Sequence, residues 1–342
     1  MNYKPLLNTP LPIVAAPMAG GPTTPALVAA VAGAGGFGFL AGGYQTPDAL
    51  AEQIAEVRER TDHFGVNLFA PSKSDLDREA FHRYAAEVQP EADAYGLSLD
   101  PNPVADDDHW TDKLRLLIEH PVPVVSLTFA LPDQAAITSL QQAGSQVLAT
   151  VTTPGEALEA QVAGVDGLIV QGPSAGGHSA TYDPARQLSD ISTAKLLRDV
   201  RSASQLPLIA AGGVDGPAAV RELLDAGAEA VAIGTLLLRT VEAGTSPTHR
   251  AALADPRFTE TVITHAFTGR PARALRNGFI DRHDHDAPNA YPAVHHLTRA
   301  LRQAAGHAGD ADRLHLWAGT GYRNAPEEPA ADVLRWLGDT TP

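Results

Sequence analysis

The sequence predicts an α/β fold, a (β/α)8 TIM barrel in which eight parallel strands alternate with helices. Eight short apolar runs show no polar alternation, which is typical of parallel strands that are buried on both faces. Ala- and Leu-rich segments with helical spacing lie between these runs. Several of these segments end in Ala-Gly, where glycine supplies the left-handed residue that closes a helix. Eight such repeats favour a closed barrel over an open doubly wound sheet.

The predicted elements alternate in chain order. The predicted strands are residues 12–16, 36–40, 64–68, 123–127, 146–150, 167–171, 206–210 and 230–234. The predicted helices are residues 24–32, 47–60, 133–143, 154–163, 192–202, 217–226 and 330–337. The run Gly33-Ala-Gly-Gly-Phe-Gly38 matches the dinucleotide-binding pattern in letters only. It leaves a helix and enters a strand, so we interpret it as a tight turn.

Two segments are longer than an ordinary connection in such a barrel. Residues 69–121 separate the third and fourth predicted strands, and we expect one helix there. Residues 239–305 follow the eighth strand and are predicted to form a small helical lid over the barrel mouth. The predicted domains are therefore a barrel of residues 1–238 and 306–342, and a lid of residues 239–305.

The composition excludes several classes of function. The chain has 342 residues, with 25 Lys and Arg against 40 Asp and Glu, which gives a net charge of −15. We therefore expect no nucleic-acid or anionic-membrane partner, because both require a cationic surface. The absence of cysteine excludes disulfides, thiolate nucleophiles and cysteine-ligated metals. No apolar leader segment is visible and glycines interrupt the one uncharged stretch, residues 26–43, so we expect a cytoplasmic protein.

Glycine loops lie at the ends of the seventh and eighth predicted strands, with two glycines in Ala210-Ala-Gly-Gly-Val214 and one in Ala232-Ile-Gly-Thr235. In this fold, backbone N–H groups at these two positions commonly hold a phosphate. The simpler interpretation is that the glycines only permit tight turns. The presence of both loops at the two expected strands favours a phosphate-bearing ligand.

The loop after the sixth predicted strand carries Gln171-Gly-Pro-Ser-Ala-Gly-Gly-His-Ser179. Its glycines allow a flat ligand to approach the backbone closely. A single histidine is more often structural than catalytic. His178 lies on a glycine-rich loop at the end of a barrel strand where active sites of this fold are found, which favours a catalytic role.

The sequence resembles the nitronate monooxygenase family, whose members are FMN-dependent (β/α)8 enzymes. The motifs that carry the resemblance span nearly the whole chain. They are Pro12-Ile-Val-Ala-Ala-Pro-Met-Ala-Gly-Gly21, Gly65-Val-Asn-Leu-Phe69, Gln171 with Ala-Gly-Gly-His178, Ala210-Ala-Gly-Gly213, Ala232-Ile-Gly-Thr235, Thr268-Gly-Arg-Pro-Ala-Arg273 and Leu316-Trp-Ala-Gly-Thr-Gly321.

The resemblance implies oxidation of a small nitronate or nitroalkane with FMN and O2, which gives a carbonyl compound and nitrite. It implies that His178 is the catalytic histidine, either as a charge-stabilising group or as a neutral base. It also implies the following FMN-binding residues: Ala16, Pro17, Met18, Asn67, Gln171, Ala175, Gly176, Gly212, Gly213, Ala232, Ile233, Gly234 and Thr235. Of these, Asn67 and Gln171 would hydrogen-bond the flavin. Ser174 departs from the pattern, because the family loop usually has glutamate there, and its loss removes a carboxylate that would favour imidazolium.

Three alternatives remain beside this interpretation. An FMN-dependent NAD(P)H enoyl-thioester reductase shares the Ala-Gly-Gly-His loop, although the acidic chain disfavours docking of a nicotinamide cofactor and a carrier protein. A non-catalytic FMN-binding barrel would leave His178 unexplained. His283 and His285, with His295 and His296, could suggest a metal site, but the run resembles a solvated loop and we expect no metal.

Overall fold

The computed structural model describes residues 6–72 and 76–339, and its central feature is a closed barrel of eight parallel strands. The strands in these ranges are β1 (Ile13–Ala15), β2 (Phe37–Ala41), β3 (Phe64–Phe69), β4 (Val124–Thr128), β5 (Gln146–Val151), β6 (Gly167–Gln171), β7 (Gly177–His178), β8 (Leu208–Ala211), β9 (Ala230–Ile233), β10 (Thr261–Thr264) and β11 (Ala272–Leu275). The barrel order is β1-β2-β3-β4-β5-β6-β8-β9, and β1 pairs with both β2 and β9. The predicted fold class is therefore confirmed.

Helices cover the outside of the barrel and build the segment above it. They are α1 (Pro25–Gly33), α2 (Pro47–Arg58), α3 (Arg78–Asp93), α4 (Trp110–Glu119), α5 (Gln134–Gln142), α6 (Pro154–Ala163), α7 (Thr193–Ala203), α8 (Pro217–Asp225), α9 (Pro247–Ala254), α10 (Gly278–His283), α11 (Ala293–His307) and α12 (Ala330–Gly338). Local chemistry sets several of their ends. The Thr24, Thr46 and Thr153 hydroxyls each accept a backbone N–H in the first helical turn, and a proline follows each threonine.

The barrel strands are buried on both faces, which explains their largely apolar sequences. Val14, Phe39 and Ile209 belong to a cluster inside the barrel, whereas Ile13, Leu40 and Leu208 pack outward against the helices. Adjacent residues of one strand therefore enter different apolar layers, and a polar residue would be costly at either position.

The segment after the eighth barrel strand corrects the prediction of a purely helical lid. It contains α9, α10 and α11, but also β10 and β11, which form an antiparallel sheet with β7 in the order β10-β11-β7. Residues 261–264 are Thr-Val-Ile-Thr, a β-branched run that fits an extended strand. β11 pairs with Gly177 and His178, so this sheet joins the segment to the loop of the candidate histidine.

The long connection after β3 also differs from its prediction, because it holds two helices, α3 and α4. Phe81 and Tyr84 of α3 pack with Phe267, Phe279 and Val294 in an apolar cluster separate from the barrel core. The structure beside the barrel mouth is thus built from two distant parts of the chain. The predicted boundary between residues 305 and 306 lies within α11, which ends at His307. The division into two domains stays a prediction.

Some predicted features fall outside the described ranges. Residues 1–5, 73–75 and 340–342, which the predicted barrel domain includes, lie outside the described residues. Among the described helices, none is long and apolar enough to cross a membrane.

Candidate active site

A cavity of about 840 Å³ opens at the carboxyl ends of the barrel strands, where active sites of this fold are found. Its floor comes from the strand ends and the loops that follow them. Its far side comes from α9, α11 and the segment around Trp317. The structure brings every predicted site residue to this cavity, namely Ala16, Pro17, Met18, Asn67, Gln171, Ala175, Gly176, His178, Gly212, Gly213, Ala232, Ile233, Gly234 and Thr235. Their roles in binding and catalysis stay predictions.

The two glycine loops lie side by side at the ends of β8 and β9. Gly212 and Gly213 have φ angles of 104° and 81°, which L side chains rarely adopt. A Cβ on Gly212 would lie 2.8 Å from the Ala175 backbone nitrogen, so this glycine lets the loop after β6 pack against the loop after β8. A Cβ on Gly234 would make only ordinary van der Waals contact, 3.5 Å from the Met18 sulfur.

Asn67 is fixed by the barrel interior. Its Nδ2 donates to the Ser126 hydroxyl at 2.9 Å, the Ser126 carbonyl at 3.1 Å and the Thr128 hydroxyl at 2.9 Å. These contacts orient the amide and leave its Oδ1 for a ligand in the cavity.

Gln171 shapes the loop that carries His178. Its Nε2 donates to the His178 carbonyl at 3.1 Å, and its Oε1 accepts from the Ala180 N–H at 2.7 Å. Both ends of the amide are thus bonded to the loop. Ser174 belongs to the same loop, and in the described structure it makes no hydrogen bond to His178.

His178 is held between a hydroxyl group and aromatic rings. Its Nε2 lies 3.0 Å from the Thr268 hydroxyl, and its ring contacts Phe129, Tyr291 and Trp317. Burial is the main cause that lowers the pKa of His178 to about 3, and charge repulsion from the nearby Arg270 and Arg302 acts in the same direction. The imidazole is therefore neutral at physiological pH.

Arg270 secures the backbone next to His178. This fully buried side chain donates to the carbonyls of Ser179 and Thr181, and its guanidinium carbon lies 4.0 Å from the Phe129 ring centre. The Arg270 carbonyl lies 3.4 Å from the Thr268 hydroxyl. Arg270 thus contributes to the position of His178 through the Ser179–Thr181 backbone and through Thr268.

The sequence did not indicate the cavity-lining side chains that come from the chain after β9. Arg302, His249 and His315 line the cavity, and so does Thr268. Thr268 begins the motif Thr268-Gly-Arg-Pro-Ala-Arg273, but the sequence indicated no role for its side chain. No sequence pattern indicated Arg302, because only the tertiary fold brings it to the other residues of the cavity.

The predicted histidine run gives no metal cluster. His283 contacts Glu87 at 2.6 Å and Glu91 at 2.9 Å, and His296 contacts Asp106 at 2.9 Å. Across residues 6–72 and 76–339, no group of three or more His, Cys, Asp or Glu is arranged to hold a metal ion. His295 instead lines the cavity and stacks on Tyr44 at 4.2 Å.

The charges around the cavity are unusual for so acidic a chain. Within the part of the chain that the structure describes, the cavity lining contains no Asp or Glu. It does contain Arg299 and Arg302 together with five histidines, which are His178, His249, His295, His307 and His315. The two arginines, with no carboxylate in this lining to oppose them, favour an anionic ligand.

Comparisons over the whole chain establish the family. The sequence profile described as nitronate monooxygenase matches residues 5–338. The chain belongs to the nitronate monooxygenase family. A Staphylococcus saprophyticus relative named "Probable nitronate monooxygenase" is 37% identical over 325 residues, which is 93% of this chain and 91% of the relative.

Two solved structures are similar to this nitronate monooxygenase family member over nearly its whole length. Nitroalkane oxidase from Streptomyces ansochromogenes is 46% identical with a TM-score of 0.91, and the match covers 96% of this chain and 95% of that one. FabK from Thermotoga maritima is 27% identical with a TM-score of 0.73, and the match covers 97% of this chain and 93% of that one. The protein is therefore an oxidoreductase, and its family and the first of these structures support nitronate oxidation.

Proposed function

We propose that this enzyme uses FMN to oxidise alkyl nitronates with O2, giving a carbonyl compound and nitrite. The observation that carries the proposal is the cavity itself. It joins two glycine loops at the ends of β8 and β9 to a histidine loop, and its lining is cationic without a carboxylate in the described residues. A nitronate is an anion, so this charge pattern suits the substrate as well as a cofactor phosphate.

The residues of the cavity fit FMN. The volume of about 840 Å³ lies within the range of roughly 300 to 1,000 Å³ that is common for ligand sites. Gly20 and Gly177 line the cavity, and a Cβ on either would have no neighbour within 4 Å, so the backbone is open to a flat ring. Gly213 and Gly234 would give the phosphate its backbone N–H donors.

FMN would supply the redox chemistry, by taking electrons from the substrate and passing them to O2. The protein binds and orients the substrate and controls its proton. The Thr268 hydroxyl can donate to the Arg270 carbonyl at 3.4 Å and accept from Nε2–H of His178 at 3.0 Å. We therefore propose the tautomer that carries the proton on Nε2, in which Nδ1 is the acceptor.

His178 would therefore act as a neutral base that removes the α-proton of a nitroalkane. A preformed nitronate has already lost that proton. The aromatic contacts of His178 with Phe129 and Trp317 limit water around the base.

The first test is the cofactor and the reaction together. The purified protein should be yellow, release FMN on acid precipitation, and produce nitrite from a nitronate in air without NADPH. A colourless protein that FMN neither binds nor stabilises against heat would contradict the assignment of the cavity, since a ligand at a hundredfold excess over Kd adds about 2.7 kcal/mol of stability.

The second test addresses the phosphate loops. Gly234→Asp should abolish FMN retention, because the new carboxylate would enter the site of the phosphate. Gly234 is preferable to Gly213, whose φ of 81° would strain any replacement. Gly33→Asp is the matched control, since Gly33 is exposed at the end of α1 with open space around a Cβ. If the two variants retained equal amounts of FMN, the phosphate would not bind at Gly234.

A further inference from the structure

We infer that Arg302, held by His295 and His315, is the group that binds the negative charge of the substrate. The inference rests on the proposed function, because it assigns the anion-binding residue of the same site. It separates two tasks that the sequence left together on His178. In this assignment His178 removes the α-proton of a nitroalkane, and Arg302 binds the negative charge of the substrate.

The first observation is the set of contacts around Arg302. Its Nε donates to the Thr298 hydroxyl at 3.0 Å, and its Nη2 donates to the His295 carbonyl at 2.9 Å and to Nδ1 of His295 at 3.2 Å. Its Nη1 lies 3.4 Å from Nε2 of His315. A guanidinium has five N–H donors, so these contacts leave one N–H on Nη1 for a ligand. Arg302 lines the cavity and is only 6% exposed.

The second observation is that no carboxylate partners this buried cation in the described structure. A buried charge is costly unless an opposite charge or several hydrogen bonds compensate it. The four contacts of Arg302 go to neutral acceptors. An anion in the cavity would supply the missing countercharge, so the site is preorganised for one.

The third observation is that the surrounding groups cannot replace Arg302 as a positive charge. His295 and His315 each present an unprotonated ring nitrogen to the guanidinium. Burial lowers the pKa of both histidines well below the usual value, and Arg302 lowers these pKa values further. Burial lowers the pKa of Arg302 as well, to about 10, which leaves it protonated at neutral pH.

The titratable and charged groups that face this end of the cavity come from several elements. They are Tyr44, His178, His249, Arg270, Tyr291, His295, Arg299 and His315. Burial raises the pKa of Tyr44 to about 12, and burial also raises the pKa of Tyr291, so both phenols stay neutral. Arg299 is exposed, which leaves Arg302 as the buried cation that lines the cavity.

The wild-type holoenzyme offers a test that needs no substitution. Nitrite is the probe, because it is a small anion with two oxygens on nitrogen, and calorimetry measures its Kd. Its Kd should stay constant within about twofold from about pH 6 to about pH 9, because an arginine keeps its charge over this range. A Kd that rises about tenfold per pH unit in this range would assign the charge to a histidine and overturn the inference.

Variants then locate the charge. Arg302→Met should weaken nitrite binding by about thirtyfold or more, as expected when a buried charge loses its partner. Arg302→Lys keeps the charge but not the planar fork, so its loss should be smaller. Arg115→Met is the matched control, since it removes one surface charge from α4 at a side chain that is 60% exposed. His178→Asn should weaken nitrite binding much less than Arg302→Met does, because the neutral His178 carries no charge in this assignment.

The outcomes separate this inference from the proposed function. Wild-type nitrite affinity in both Arg302 variants would overturn the inference even if nitronates are oxidised. Loss of nitrite binding in Arg302→Met, in a protein that neither holds FMN nor oxidises nitronates, would reject the function and leave the anion site standing. Should Arg302→Met fail to fold, the lysine variant and the pH series decide the question.

Discussion

The charge state of His178 decides which task this residue can perform. A neutral imidazole with a free Nδ1 can accept a proton, but it cannot pair with an anion as imidazolium does. The replacement of glutamate by Ser174 is not the main cause of this state. Burial comes first, followed by the repulsion from Arg270 and Arg302, and together they lower the pKa of His178 to about 3.

The prediction at the residue scale concerns Thr268, which sets the tautomer of His178. Thr268→Val removes the hydroxyl and keeps the shape, so Nε2 loses its partner. The kcat/KM for a neutral nitroalkane should fall about ten- to a hundredfold, because general base catalysis typically contributes about 10²- to 10⁴-fold. The kcat/KM for the preformed nitronate should change less than about threefold, since no proton is removed there.

Steady-state assays with both substrates measure this difference. Thr268→Ser is the matched control, because it restores the hydroxyl and should recover most of the nitroalkane activity. Equal losses on both substrates in Thr268→Val would mean that Thr268 supports the cavity without setting the tautomer.

The sequence predicts the loop residues of the site better than the residues across the cavity. Gly213 and Gly234 lie at the ends of barrel strands, and His178 lies on the glycine-rich loop after β6, so strand ends and glycine-rich loops locate them. Thr268 and Arg302 have no such signal. Thr268 meets His178 across 90 residues of sequence, near a sheet whose pairing with the His178 loop no local pattern encodes.

At the scale of elements, α3 is tied to the segment after β9 by an ion cluster. Glu91 contacts Arg282 at 2.6 Å, His283 at 2.9 Å and Arg313 at 2.6 Å. Burial raises the pKa of Glu91, but the hydrogen bonds from Arg282, His283 and Arg313 outweigh burial and lower this pKa to about 2. The cluster joins a helix of the first long connection to the lid and to the chain that follows it.

We expect Glu91→Gln to reduce the free energy of unfolding by about 1 to 3 kcal/mol, because it removes the charge of a buried carboxylate, while Arg282 and Arg313 keep Asp312 and Asp310 as partners. Glu79→Gln is the matched control on the same helix, since Glu79 is 86% exposed in its pair with Arg83. Its effect should stay below about 1 kcal/mol. Urea denaturation measures both, and equal effects would show that the Glu91 cluster does not hold α3 in place.

How well the sequence predicts a helix or strand depends on the length of that element and on whether its partners are near in the chain. β6 and α6 match their predicted bounds, because a buried strand and a capped helix have strong local patterns. β10 and β11 are only four residues each, and they depend on pairing: β11 pairs with Gly177 and His178, and β10 pairs with β11. The apolar face of α3 is explained by partners such as Phe279, which lies far along the chain.

At the scale of the whole molecule, the barrel is the most predictable part of the structure. Every barrel strand repeats the same chemistry, an apolar run followed by a polar or glycine-rich loop, and the repetition fixes the topology. The lid has no repeat. Its surplus length predicted a small helical lid, whereas the structure adds a small sheet that pairs with the barrel loop carrying His178.

The buried histidines make the stability of the molecule depend on pH. Burial lowers the pKa of His178 to about 3 and that of His249 to about 4, and it lowers the pKa values of His295 and His315. In the unfolded chain these groups bind protons below about pH 6.5. The unfolded state therefore binds more protons, and the free energy of unfolding falls as pH drops from about 6.5 toward about 4.

Each such histidine contributes a slope of up to about 1.4 kcal/mol per pH unit. Urea denaturation from about pH 7 to about pH 5, at a fixed FMN concentration, measures the total. His249→Gln should reduce the slope of the free energy of unfolding against pH by about the contribution of one histidine. An unchanged slope in this variant would contradict the neutral, buried state of His249.

The central claim is that the nitronate itself is the reductant, and an anaerobic titration tests it most directly. Adding a nitronate to the yellow holoenzyme without any nicotinamide should lower the flavin absorbance, and admitting O2 should restore it with release of nitrite. The alternative of an FMN-dependent enoyl-thioester reductase defines the contrary result. If NADPH bleaches the flavin rapidly, an enoyl thioester restores it and the nitronate leaves the spectrum unchanged, the enzyme is a reductase and the account is wrong.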